Sequence, residues 1–242
     1  MFVSTGENGT TEGVKPIDNQ RFFTRLAQRV IHILSTNMMG GRLYEVDLRL
    51  RPNGDSGLVV TSAQALERYL KHDAWTWEHQ ALVRARVVAG APVLVTQVEG
   101  LRAEVLSTPR DDVSLADDVT AMRQKMRDHS PAVGDASRRV ALKYGRGGIV
   151  DIEFVVQYLV LKHAAHYPDV GRWSDVVRIL EALEACRILS SSDANSLKDA
   201  YLGLRSLVHR AAVSNASDGN SVETDELMKQ ASAVCTRLLP NL

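Results

Sequence analysis

The stretch from Ile149 to His163 restricts the fold more than any other part of the chain. Ile149, Val150, Ile152, Phe154, Val155, Val156, Tyr158, Leu159, Val160 and Leu161 fall on every side of a helix opened by Gly147-Gly148. A helix that is apolar all round must be enclosed by other elements. This one is too short to span a bilayer, and Asp151, Glu153 and Gln157 make it too polar. It therefore reads as the central member of a helical bundle.

Composition agrees. The chain has 242 residues, 45% of them apolar, enough for one large domain or two small ones. Lys plus Arg and Asp plus Glu are each 29, so the net charge is zero. That excludes a nucleic-acid binder working by bulk charge and a disordered, highly charged chain. Aromatics at 5% argue against an aromatic-rich β-sandwich. Cys186 and Cys235 make neither a disulfide framework nor a four-thiolate zinc site. They read as reduced, packed thiols. With a polar run directly after Met1-Phe2-Val3 and hence no signal peptide expected, the reading is a cytoplasmic protein without a membrane partner.

Along the chain, residues 4–16 read as a polar loop. Asp18 can cap a helix over 19–36, with Phe22, Leu26, Val30, Ile33 and Leu34 inward. Residues 43–51 alternate as a strand, and Pro52 ends it. Tyr44, Val46, Leu48 and Leu50 share one face; Glu45, Asp47, Arg49 and Arg51 share the other. Residues 58–60 read as a short returning strand. Ser62 can cap a helix to Lys71, and 75–89 reads as another. Residues 93–98 fit a strand or a helix start. From Asp111 onward the pattern is helical, with connections over 130–138 and 214–221. The expected class is α+β and predominantly helical: a partial α/β unit over 1–107, then an all-helical bundle over 108–242.

Two constellations carry chemistry. On the 43–51 strand, Asp47 is a hard oxygen ligand suited to Mg²⁺, and the Arg49 and Arg51 forks suit phosphate; a solvated sheet face satisfies the same alternation. In residues 143–154, Gly147 and Gly148 let backbone amides approach an anion at a helix N-terminus, beside Lys143 and Arg146. A tight inter-helix turn, with Asp151 answering the helix dipole, fits equally. Glu153 and Gln157 form a polar stripe on a buried helix and require polar partners. Arg49 and Arg51 require acidic ones. A cleft lined by both sets would suit a nucleotide. Gly54-Asp55-Ser56-Gly57 looks like a protease nucleophile segment, but too little chain and only His32 precede it. His163 and His166 lack a third metal ligand nearby.

The stretches 22–32, 44–58, 77–86 and 147–159, in this order, resemble the bacterial bifunctional glutamine synthetase adenylyltransferases and adenylyl-removing enzymes. Trp77-Glu78-His79-Gln80 resembles their C-terminal, adenylylating half. The resemblance implies a nucleotidyltransferase unit followed by a helical bundle. It implies AMP transfer from ATP to a tyrosine of glutamine synthetase, regulated by glutamine and the PII signal protein. Asp47 matches the third of three catalytic carboxylates, which binds metal and activates the attacking hydroxyl. Asp151, Glu153 and the Lys143–Gly148 turn are then candidates for contact with the nucleotide. The paired Asp-x-Asp that supplies the other two carboxylates is absent upstream of Asp47. On this reading Met1 is an internal methionine, the chain an N-terminally truncated part, and its isolated activity nil or nearly so. The competing reading is a non-catalytic helical module that docks glutamine synthetase or a signal protein.

Overall fold

A computed structural model describes residues 1–129, 138–214 and 221–242. The architecture is predominantly helical with a few short strands, and the chain divides into two compact units. The first holds residues 1–78 and 86–105, the second residues 79–85 and 106–242.

In the first unit, β1 (Phe2–Ser4) pairs in parallel with β4 (Val60–Ser62), Phe2 opposite Val60. Helix α1 (Asn19–Ser35) starts where Asp18 accepts a hydrogen bond from the Arg21 amide. Gln20 ties it to β4 by donating to the Val60 carbonyl at 3.0 Å. A tight hairpin joins β2 (Asn37–Met38) to β3 (Gly41–Arg42). Ser62 caps α2 (Ala63–His72) by accepting from the Ala65 amide. Helix α3 (Thr76–Val83) is shorter than the expected 75–89. Residues 93–98, undecided from sequence, lie inside helix α4 (Pro92–Leu106).

Two expectations fail here. Residues 43–51 form no strand, and the returning strand pairs with β1 instead. A strand needs a neighbour for its backbone groups. Among the described strands, β1 takes β4 and β2 takes β3. The period-two pattern of 43–51 thus remains without a ladder. The inward face expected of α1 is also largely open: Phe22, Leu26 and Ile33 are exposed, and Ala27 is its buried residue. The buried apolar set of this unit is small, chiefly Val60, Ala63, Leu66, Leu70, Leu101 and Val105.

The second unit is built around helix α7 (Ile149–His163), eleven of whose fifteen residues are buried. It packs against α5 (Asp112–Asp128), α6 (Arg138–Tyr144), α8 (Pro168–Arg172), α9 (Val176–Ala185), α10 (Ser191–Ser214) and α11 (Ser221–Leu238). Asp111 caps α5 through the Ser114 amide. Asp175 caps α9 through Val177 and Arg178. The connections expected over 130–138 and 214–221 fall outside the described residues except at their ends. No described helix is long and apolar enough to cross a membrane. Cys235 is packed in this core, where burial pushes its thiol up to about 12; Cys186 is half-buried.

The contrast between the units sets a test. Leu180, fully buried on α9, should cost about 2–5 kcal/mol when cut to alanine. Leu26 on the open face of α1 should cost under about 0.5 kcal/mol by the same change. Urea unfolding of the two variants measures both.

Candidate functional site

Asp47 lies in irregular, exposed chain of the first unit. Its carboxylate accepts from Arg49 Nε at 3.1 Å to either oxygen and from Nη2 at 2.7 Å. The Arg49 amide adds a 2.9 Å bond to Oδ1. The sequence placed these two side chains together on a strand face, and the structure joins them through a local turn instead. The Arg49 guanidinium, helped by that amide, holds the Asp47 carboxyl down at about 2. Arg51 donates to the carbonyls of Leu48 at 2.7 Å and Gly57 at 3.2 Å, closing the loop between them. Gly57 is required there: a Cβ would stand 1.8 Å from the Pro52 carbonyl oxygen.

The Lys143–Glu153 segment belongs to the second unit. Helix α6 ends at Tyr144, and Gly145–Gly148 turn the chain into α7. Asp151 is 3% exposed. Its Oδ2 accepts the Gly147 amide at 2.8 Å, so the carboxylate sits at the N-terminus of its own helix. Arg123 Nε reaches Oδ1 at 2.6 Å, and Arg127 Nη2 reaches both oxygens at 3.1 Å. Arg123 also donates to the Tyr144 carbonyl at 2.7 Å and lies 5.9 Å from the Phe154 ring centroid. Burial pulls the Arg123 pKa below its ordinary value, opposed by the neighbouring Asp151. The glycine turn thus holds an anion, and that anion is Asp151. Gly147 (φ +69°) also admits α11: a Cβ there would meet the Met228 carbonyl oxygen at 1.9 Å. The geometry is that of a tight inter-helix turn, with the Gly147 amide turned to Asp151.

The polar stripe of α7 finds its partners within the same unit. Glu153 accepts from Arg84 and from the Tyr201 hydroxyl, the latter at 3.3 Å. Gln157 accepts from Gln80 Nε2 at 3.3 Å. Arg84, Arg123 and Arg127 are the ion-pair partners seen at Glu153 and Asp151. Sequence reasoning missed these roles. Arg123 and Arg127 are four apart on α5, a spacing that puts both forks on one face, but the carboxylate they share lies far along the chain. Lys143 stacks 5.1 Å over the Tyr144 ring, and Arg146 is exposed beside α11.

The arrangement does not fit a Mg²⁺ centre as it stands. Both Asp47 oxygens are engaged by Arg49, and among the described residues no three His, Cys, Asp or Glu side chains converge. Magnesium asks for near-octahedral oxygen ligation with at least one free carboxylate oxygen.

Two outcomes follow from these geometries. Asp151→Asn leaves buried Arg123 without its counter-charge and should lower stability by about 3–5 kcal/mol in denaturant titration. Asp47 should titrate near 2 by carboxyl NMR and move up towards the ordinary carboxylate value in Arg49→Gln. Because folding lowers this pKa, whatever the Asp47–Arg49 pair contributes is present above the ordinary value and lost as pH falls through about 2.

Comparison with known proteins covers both units. Residues 1–101 match the family model described as glutamate-ammonia ligase adenylyltransferase, and residues 120–237 the one described as GlnD PII-uridylyltransferase. The bifunctional glutamine synthetase adenylyltransferase/adenylyl-removing enzyme of Pseudomonas putida is 47% identical over 224 residues, 88% of this chain. Its counterpart in Hahella chejuensis is also 47% identical over 224 residues, 91% of this chain. The match takes up 23% of the length of each. The chain is thus similar to the glutamine synthetase adenylyltransferases over most of its own length and spans about a quarter of the length of those curated relatives.

Proposed function

We propose that this chain is part of an adenylyltransferase that moves AMP from ATP to a tyrosine of glutamine synthetase in the cytoplasm. The observation that carries this reading is the 47% identity to enzymes of that name across both units, the Asp47 segment included. In this reading Asp47 activates the attacking hydroxyl, Arg49 and Arg51 turn to phosphate, and Mg²⁺ is the required ion. A lone carboxylate held by Arg49 does not suffice for nucleotidyl transfer, so the site is completed by polypeptide carrying the Asp-x-Asp pair. The exposed apolar side chains of the first unit support such completion: Phe22, Leu26 and Ile33 on α1, and Tyr44 and Leu50 beside Asp47. A sheet packed there would give residues 43–51 the neighbour their alternation calls for.

A second reading, a non-catalytic helical module, draws on the match of residues 120–237 to a PII-uridylyltransferase model. Under it the second unit docks glutamine synthetase or the PII signal protein, with glutamine as the small-molecule regulator.

A chimera separates the two. Residues 1–242 replace the matching quarter of the Pseudomonas putida relative, and labelled AMP on glutamine synthetase is counted. The proposal expects no transfer by the chain alone. It expects transfer by the chimera, falling about 10²- to 10⁴-fold with Asp47→Asn. Undiminished transfer in the Asp47→Asn chimera would leave the docking reading.

A further inference from the structure

The second unit carries a groove of about 740 Å³ that the reading above does not use. It runs between the turn bearing Arg146 and the outer face of α11. Its size is within the range of small-molecule sites. From this groove we infer that the second unit binds a phosphorylated small molecule, the phosphate oxygens taken by Arg146, Lys229 and Arg237.

The charges come from separate parts of the fold. Arg146 stands on the glycine turn, while Lys229 and Arg237 are eight apart on α11, two turns along one face. Asp225 is the one acidic residue among the described residues that line the groove. Arg237 is not loose, since Asp193 on α10 pairs with it. The turn brings these groups together because Gly147 has no Cβ and α11 comes into backbone contact with it. Arg146, next in sequence, is thereby set against α11. Ser232 adds a hydroxyl beside the cations, and Met228 supplies an apolar surface. Guanidinium forks match phosphate oxygens in pairs, and Arg146 and Lys229 line the groove beside Arg237 against the one carboxylate of Asp225. A phosphate with an apolar body satisfies the cations and the Met228 surface together. The chain as a whole is neutral, so the selectivity is local to this groove.

Isothermal titration of the full chain with inorganic tripolyphosphate and with ADP tests this. Saturable binding is expected, weaker at higher ionic strength. Lys229→Gln and Arg146→Gln should each weaken it about fivefold, while Asp225→Asn should tighten it by removing a like charge. Lys198→Gln on α10, outside the groove lining and paired with Glu181, should leave it unchanged. Arg237→Gln also removes the Asp193 pair, so Lys229→Gln, with an unchanged circular dichroism spectrum and melting temperature, is the deciding variant. Absence of saturable binding would overturn the inference. So would equal affinity in Lys229→Gln and Arg146→Gln, or tighter binding of poly-glutamate than of tripolyphosphate, which would assign the groove to an acidic protein segment.

Discussion

One buried carboxylate organises the helical unit. Asp151 sits a single turn into α7, and three groups from two places converge on it: the Gly147 amide from the turn, and Arg123 and Arg127 from α5. Arg123 also reaches the last carbonyl of α6. A single knot therefore fixes the end of α6, the start of α7 and the side of α5. Such a cluster adds little net stability by itself, because desolvating the charges offsets their attraction. Its effect is on specificity. Once Arg123 is fully buried, any arrangement that removes it from Asp151 strands a charge in the core. The charges do not balance completely: two guanidiniums meet one carboxylate, and Arg123 Nη1 and Arg127 Nε find no hydrogen-bond partner among the described residues.

The same knot explains why the Gly145–Gly148 turn is so constrained. The amide that a glycine-rich turn offers to an incoming anion is here directed at Asp151. The room that the missing Cβ leaves is filled by the α11 backbone at Met228. Chemistry at this turn passes instead to its exposed corner, where Arg146 faces outward beside α11. The polar stripe further along α7 follows the same rule on a smaller scale. Glu153 and Gln157 take Arg84, Tyr201 and Gln80, so a buried helix carries polar groups with partners at hand.

Legibility from sequence followed locality. Helix starts at Asp18 and Ser62 could be read because the capping side chain and the amide it accepts are within three residues. The burial of α7 was legible because its apolar residues surround the helix, whatever packs on it. The 43–51 segment was misread for the opposite reason. Alternation says which side chains share a face and nothing about whether a neighbouring strand is present, and here Asp47 turned back onto Arg49. The α1 face was misjudged likewise, since amphipathicity identifies a surface to be covered without supplying the cover. Arg123 and Arg127 were visible as residues, but their partner is 24 or more positions away. A salt bridge at that distance has no local signature.

Asp151 is the anion held by the glycine turn. Amide hydrogen exchange at Gly147 tests it most directly. If the Asp151 carboxylate accepts that amide in the core, Gly147 exchanges as slowly as the buried amides of α7, and Asp151→Asn speeds it well beyond any change at those amides. An amide at Gly147 that exchanges rapidly in the unaltered chain, or that is indifferent to the substitution, would contradict the claim.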